Sequence, residues 1–243
     1  RPDGGPPPEA SDRLPEASAA PFDVLGAHNA DHVFAAWYAE DRRSDMLVVI
    51  DVSGSMSTPA PGSEAPLLDI VGEGTRELAG LLPDESEFAL WEFGSLLDPP
   101  RDYRTLVARG PLDAAQRQRL DSALNVLAVS DTGTGLYDST LAAYLTARDG
   151  HREGTPNHVV VFTDGRNEDD PGSISADQLA AELVAAQDPE RPVELTIITF
   201  GPETETAVLE SVLEPVEGSV DPLTTADEVR AVFIHLAAGG VHH

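Results

Sequence analysis

The stretch MLVVIDVSGSMS, residues 46–57, begins with five apolar residues in a row and ends on Asp51, Ser53, Ser55 and Ser57 around Gly54. A run that is apolar at every residue belongs to a strand covered on both faces, as parallel strands are. The small polar residues after it are those of a strand-to-helix turn. Two further runs are near-continuously apolar, NHVVVFTD at 157–164 and VELTIITF at 193–200. EFALWEF at 87–93 and YRTLVAR at 103–109 alternate polar and apolar side chains instead, which predicts half-buried or edge strands towards one side of the sheet.

Helical periods fall between these runs: Leu67, Val71, Leu78, Leu82; then Leu120, Leu124, Leu127; then Leu136, Leu141, Tyr144, Leu145; then Leu179, Leu183, Ala186; and last Val229, Val232, Phe233, Leu236. Capping boxes are expected at Asp113 with Gln116, Ser175 with Gln178 and Thr225 with Glu228. Gly72 and Gly74 interrupt the first helix at roughly 1 kcal/mol each relative to Ala, which leaves its boundaries the least defined. The alternation predicts an α/β fold, an open, doubly wound, mostly parallel sheet with helices on both faces. In such sheets the binding crevice lies beyond the carboxyl ends of the central strands.

Residues 1–26, rich in Pro, Ala and acids, read as a linker or interdomain segment. In 27–43, Val33, Phe34, Trp37 and Tyr38 suit a short lead-in helix, and 44–241 form the α/β domain. A formal charge of −28 repels phosphodiester backbones and anionic lipid, so neither nucleic acid nor a membrane surface is an expected partner. No apolar run approaches the roughly 20 residues that span a bilayer, so no membrane insertion of this segment is expected. There is no Cys, and all 15 basic residues are Arg, which excludes disulfides, thiolate metal sites, thiol nucleophiles and Lys chemistry.

Three oxygen-bearing loops follow strands or precede helices. The first holds Asp51, Ser53 and Ser55, the second is Asp131-Thr-Gly-Thr134-Gly-Leu-Tyr-Asp138, and the third is Phe162-Thr-Asp164-Gly165. Each alone is an ordinary turn. Together, at the carboxyl ends of a parallel sheet, they would converge. Asp51, Ser53, Ser55, Thr134 and Asp164 are all hard oxygen donors, which select Mg²⁺, Mn²⁺ or Ca²⁺ over zinc or copper, with Mg²⁺ favoured. Three hydroxyls and two carboxylates leave the ion electron-poor, with a position open for water or an outside carboxylate.

The order D-x-S-x-S, Thr in a G-T-x-L-Y-D loop and a strand ending T-D-G resembles the metal-ion-dependent adhesion site of von Willebrand factor A domains, over roughly residues 44–238. The resemblance implies a central sheet with one antiparallel edge strand. It also implies Ser53, Ser55 and Thr134 as direct or near-direct metal ligands, with Asp51 and Asp164 bound directly or through water. The implied function is capture, through the cation, of an Asp or Glu on a partner protein, with no catalysis. Met56, Asn167 and Glu168 are expected contacts to that partner. FTDGRNEDD and TIITFG are similar to strand ends in bacterial extracellular versions, often attached to a solute-binding domain through a Pro-rich linker. An extracellular or cell-envelope location follows as an expectation.

Two other readings compete. A haloacid-dehalogenase-type phosphotransferase needs a second Asp two residues after the first, where this chain has Ser53, and also a Lys that is missing. His151 and His158 are expected to be surface or edge residues without a catalytic role. The third reading is a structural interaction domain that binds no metal.

Overall fold

The computed structural model describes residues 43–60, 62–164, 167–168, 172–200, 206–223, 225, 228 and 231–232. The expected linker, the lead-in helix and most of the last helix lie outside these residues. Six strands, β1 (Asp45–Asp51), β2 (Glu87–Asp98), β3 (Arg101–Pro111), β4 (Asn157–Thr163), β5 (Glu194–Phe200) and β6 (Ser219–Leu223), form one sheet in the order β3-β2-β1-β4-β5-β6. Every neighbouring pair is parallel except β2 and β3. The architecture is the expected one, with β3 as the antiparallel edge.

Alternation along the central strands feeds two apolar layers. Met46, Val48, Ile50, Val160, Phe162 and Ile198 face one side, against α1 (Leu67–Leu81) and α2 (Ala114–Leu124). Leu47, Val49, Val159, Val161, Leu195 and Ile197 face the other, against α3 (Leu136–Asp149), α4 (Ala176–Ala186) and α5 (Thr206–Leu213). With β1 and β4 at the centre, their carboxyl ends are the natural place for a crevice.

Four sequence expectations change. First, β2 is not a half-buried strand. Its residues Glu87–Phe93 pair with the whole of β1, and Phe88 to Phe93 are buried. The alternating Glu92 is only 3% exposed and pairs with Arg104 of β3, so an ion pair rather than solvent accommodates it. Second, α1 runs unbroken through Gly72 and Gly74, because its buried stripe of Leu67, Leu68, Val71, Leu78 and Ala79 offsets their low propensity. Third, β6 was not expected, since its sequence SVDPL carries Pro222. It is tolerated at the sheet edge, where a strand can do without a donor.

Fourth, the cap of α2 is only half a box. Asp113 accepts from the Gln116 amide at 2.8 Å, but the Gln116 side chain turns inward and donates to Phe88 O at 3.0 Å and Ala108 O at 2.7 Å. The reciprocal boxes are present at Ser175 with Gln178 and at Thr225 with Glu228.

At the amino end of the sheet, buried Asp45 binds two guanidinium groups, Arg109 at 2.5 Å and Arg152 at 3.0 Å, and Glu87 pairs with Arg109. This clasp ties the start of β1 to β3 and to the loop before β4. Among the described residues no helix is long and apolar enough to cross a membrane.

Candidate metal centre

The parallel register places Ile50 beside Phe162, so Asp51 and Thr163 are the next residues on neighbouring strands. Asp51 is 0% exposed. Its Oδ1 accepts from the Ser53 amide at 2.8 Å and its Oδ2 from the Thr163 hydroxyl at 2.7 Å. Val52 is wedged behind it, donating to Phe93 O at 2.9 Å and accepting from the Ser130 amide at 2.7 Å. The chain then closes a 3-10 turn over Gly54–Ser57 that presents Ser55 outward.

From Ser53 a line of side chains crosses to the third loop. Ser53 Oγ and Ser55 Oγ are 3.1 Å apart, and Ser55 Oγ donates to Asp164 Oδ1 at 2.9 Å. Four of the five expected ligands, Asp51, Ser53, Ser55 and Asp164, are thus joined by hydrogen bonds.

Thr134 arrives by a different route. Its loop is held to the end of β2 by the Ser95 amide on Gly133 O at 2.6 Å, and Ser130 Oγ lies 2.6 Å from Thr132 Oγ1 within it. Gly135 sits so close to Asp102 that a Cβ would stand 2.5 Å from its Cγ, and Asp102 in turn accepts from the Leu96 amide at 2.7 Å. The Glu168 amide donates to Thr134 O at 2.8 Å, joining the second loop to the third. Thr134 is 4% exposed, and among the described residues its hydroxyl has no hydrogen-bond partner. A hydroxyl not taken up by a partner among the described residues is available to a ligand.

The electrostatics point the same way. Burial pushes the Asp51 carboxyl up to about 6, against the pull of its Ser53 and Thr163 hydrogen bonds, and the nearby Asp164 charge adds to the rise. Asp164 is raised too, chiefly by burial and also by Glu168, while its Ser55 bond opposes the shift. Among the described residues neither carboxylate forms an ion pair. Two carboxylates facing hydroxyls without a cation are stabilised in the charged form by a hard divalent ion. No group of three or more His, Cys, Asp and Glu stands ready to hold an ion among the described residues, so the donor set relies on its hydroxyls.

The expected partner contacts separate. Met56 is 0% exposed and packs into the core beneath the turn, so it is not a surface contact and supports the loop instead. Asn167 is half-buried, and its Oδ1 accepts from the Tyr137 amide at 3.1 Å, at the start of α3. Glu168 is exposed. His158 is also not a surface residue: it is 6% exposed, with Nδ1 3.0 Å from Glu194 Oε2, far from the site at the amino end of β4. Thr163, Ser95, Ser130 and Asp102 were missed. Thr163 had a signal in its place beside Asp164, but only the strand register shows that it faces Asp51.

The model of the von Willebrand factor type A domain family matches residues 45–230. The chain belongs to that family. Domains of this family are typically protein-interaction modules. The chain is 29% identical over 164 residues to an uncharacterized protein of Mycobacterium tuberculosis, an alignment covering 64% of this chain and 23% of that protein. It therefore spans about a quarter of that relative's length. Among solved structures, the fold is similar to a von Willebrand factor type A protein from Catenulispora acidiphila, with TM-score 0.63 and 19% identity, covering 81% of this chain and 42% of that one. It is also similar to the pilus adhesin SpaC from Lactobacillus rhamnosus GG, with TM-score 0.62 and 16% identity, covering 82% and 31% of the two chains.

Proposed function

We propose that this von Willebrand factor type A domain is a non-catalytic module that captures a partner protein through a divalent cation, Mg²⁺ in first place. Asp51, Ser53, Ser55, Thr134 and Asp164 would hold the ion. When bound, the cation supplies a Lewis-acidic point at which an Asp or Glu of the partner is recognised. One observation carries this reading: the hydrogen-bonded line from Asp51 through Ser53 and Ser55 to Asp164, which makes no ion pair among the described residues. The protein's own contribution is to pre-arrange hard oxygen donors and to bury Asp51, which raises the value of a countercharge there. The pilus adhesin among the similar structures supports a location outside the cytoplasm, in the envelope or beyond it.

The test compares thermal stability in Mg²⁺ and in EDTA for wild type and Asp51→Ala, followed by a pull-down from the envelope fraction of the source cell. The expected result is a Mg²⁺-dependent rise in Tm that Asp51→Ala lacks, with capture released by EDTA. Equal Tm values in all four conditions would remove the cation from the reading.

A further inference from the structure

Glu168 is an exposed carboxylate at the rim of the site, and three contacts fix where it stands. Its own amide donates to Thr134 O at 2.8 Å. The residue before it, Asn167, accepts from the Tyr137 amide at 3.1 Å. Further along, the Ile174 amide donates to Asp138 Oδ2 at 3.1 Å, so the loop is fastened to the start of α3 on both sides of Glu168. The side chain folds over Gly133, the residue before Thr134. A Cβ at Gly133 would collide with the Glu168 carboxylate and would stand 3.3 Å from its Cβ. Position 133 is thus kept bare where the carboxylate lies. The Glu168 charge is also felt at Asp164, one of the proposed ligands.

We infer that Glu168 is an intramolecular ligand of the site, filling the coordination position that an outside carboxylate would otherwise take. The inference rests on the cation-binding reading above. A divalent ion among Asp51, Asp164 and three hydroxyls is only just neutralised, so a third carboxylate on a tethered neighbouring loop has a high effective concentration for the remaining position. A partner's acidic residue must then displace Glu168 before it binds. The role of Glu168 would be to hold the empty module's ion tightly while raising the threshold for capture, which favours partners that make further contacts.

Mn²⁺ serves as the probe, and no partner is needed. The 243-residue chain is titrated with Mn²⁺ while the water-proton relaxation rate is followed, giving the affinity and the number of waters on the bound ion. In Glu168→Gln, Mn²⁺ affinity is expected to fall on the order of tenfold, within the loss seen when supporting groups of a metal site are removed. Relaxation per bound ion is expected to rise, because water enters the vacated position. Gly133→Ala, which evicts the same carboxylate without changing any donor, is expected to move both readouts in the same direction. If wild type and both variants bind Mn²⁺ with equal affinity and equal relaxation per ion, Glu168 is not a ligand, and the cation reading stands without it. If wild type shows no saturable Mn²⁺ binding, the cation reading itself falls and this inference falls with it.

Discussion

The hydroxyl of Thr163 donates to the inner carboxylate oxygen of Asp51 at 2.7 Å, across the seam between β4 and β1, with both residues fully buried. A neutral donor placed against a buried carboxylate favours its charged form, and a hydrogen bond to a charged group contributes about 1.5–3 kcal/mol. Thr163→Val keeps the shape and removes the donor. In EDTA it should lower unfolding stability by about that amount at pH 8, where Asp51 is charged, and by clearly less at pH 4.5, where the carboxyl holds its proton. Urea denaturation at the two pH values checks this, and an equal penalty at both would show that packing rather than the carboxylate sets it.

Asp51 itself sets a pH dependence whose sign is fixed by its upward shift. The folded chain holds the Asp51 proton up to about pH 6, while the unfolded chain releases it near 3.8. Between these values the native state binds more protons, so this group's contribution to stability falls as pH rises through the window and is flat above about 6. The whole effect is on the order of 3 kcal/mol. A cation favours the charged form, so the stabilisation by Mg²⁺ should grow over the same window and level off above it. Melting curves from pH 4 to 8, in Mg²⁺ and in EDTA, are expected to diverge with rising pH for wild type. For Asp51→Asn they should stay parallel.

The strands β1, β4 and β5 were legible because their runs are nearly all apolar, and the ligand set was legible because hydroxyls and carboxylates recur at the ends of β1 and β4. What could not be read was whatever depends on register or on a distant partner. Glu92 made β2 read as an edge strand because Arg104, which accommodates it, lies on another strand. Pro222 hid β6, since a proline argues against a strand until the strand is known to lie at an edge. Met56 was expected to touch the partner because it stands within the motif loop, yet the 3-10 turn rotates it inward. Thr134 is placed by backbone bonds from Ser95 and Glu168, and backbone bonds leave no mark on the identities of the residues that make them.

The Asp45 clasp predicts a stability effect unconnected with the site. Asp45 is 2% exposed and accepts from both Arg109 and Arg152. Removing one member of a buried pair leaves the others uncompensated, at a cost of about 3–5 kcal/mol. Both guanidinium groups reach solvent, so Asp45→Ala is expected at the low end, about 3 kcal/mol. Asp188→Ala, which breaks the solvent-screened surface pair with Arg191, should cost far less than Asp45→Ala. Denaturation midpoints of the two variants give the comparison, and Mg²⁺ should raise the Tm of both as it does that of wild type.

Leu96 adopts φ 51, a left-handed conformation that costs a non-glycine residue about 1–2 kcal/mol. It is held there by its amide bond to Asp102 at 2.7 Å, one residue from Ser95, whose amide secures Gly133. The side chain is 44% exposed, so little burial compensates the strain. Leu96→Gly removes the strain but adds chain entropy to the unfolded state, roughly 0.5–1 kcal/mol, and the two nearly cancel. Stability is therefore expected to stay level or rise by up to about 1 kcal/mol, whereas β-branched Leu96→Val should lower it. On the capture reading proposed above, an apolar side chain kept exposed on β2 next to Ser95, whose amide secures Gly133, would meet a bound partner. Leu96→Gly should accordingly weaken Mg²⁺-dependent capture without lowering Tm. A loss of Tm equal to that of Leu96→Val would show that the side chain serves the fold alone.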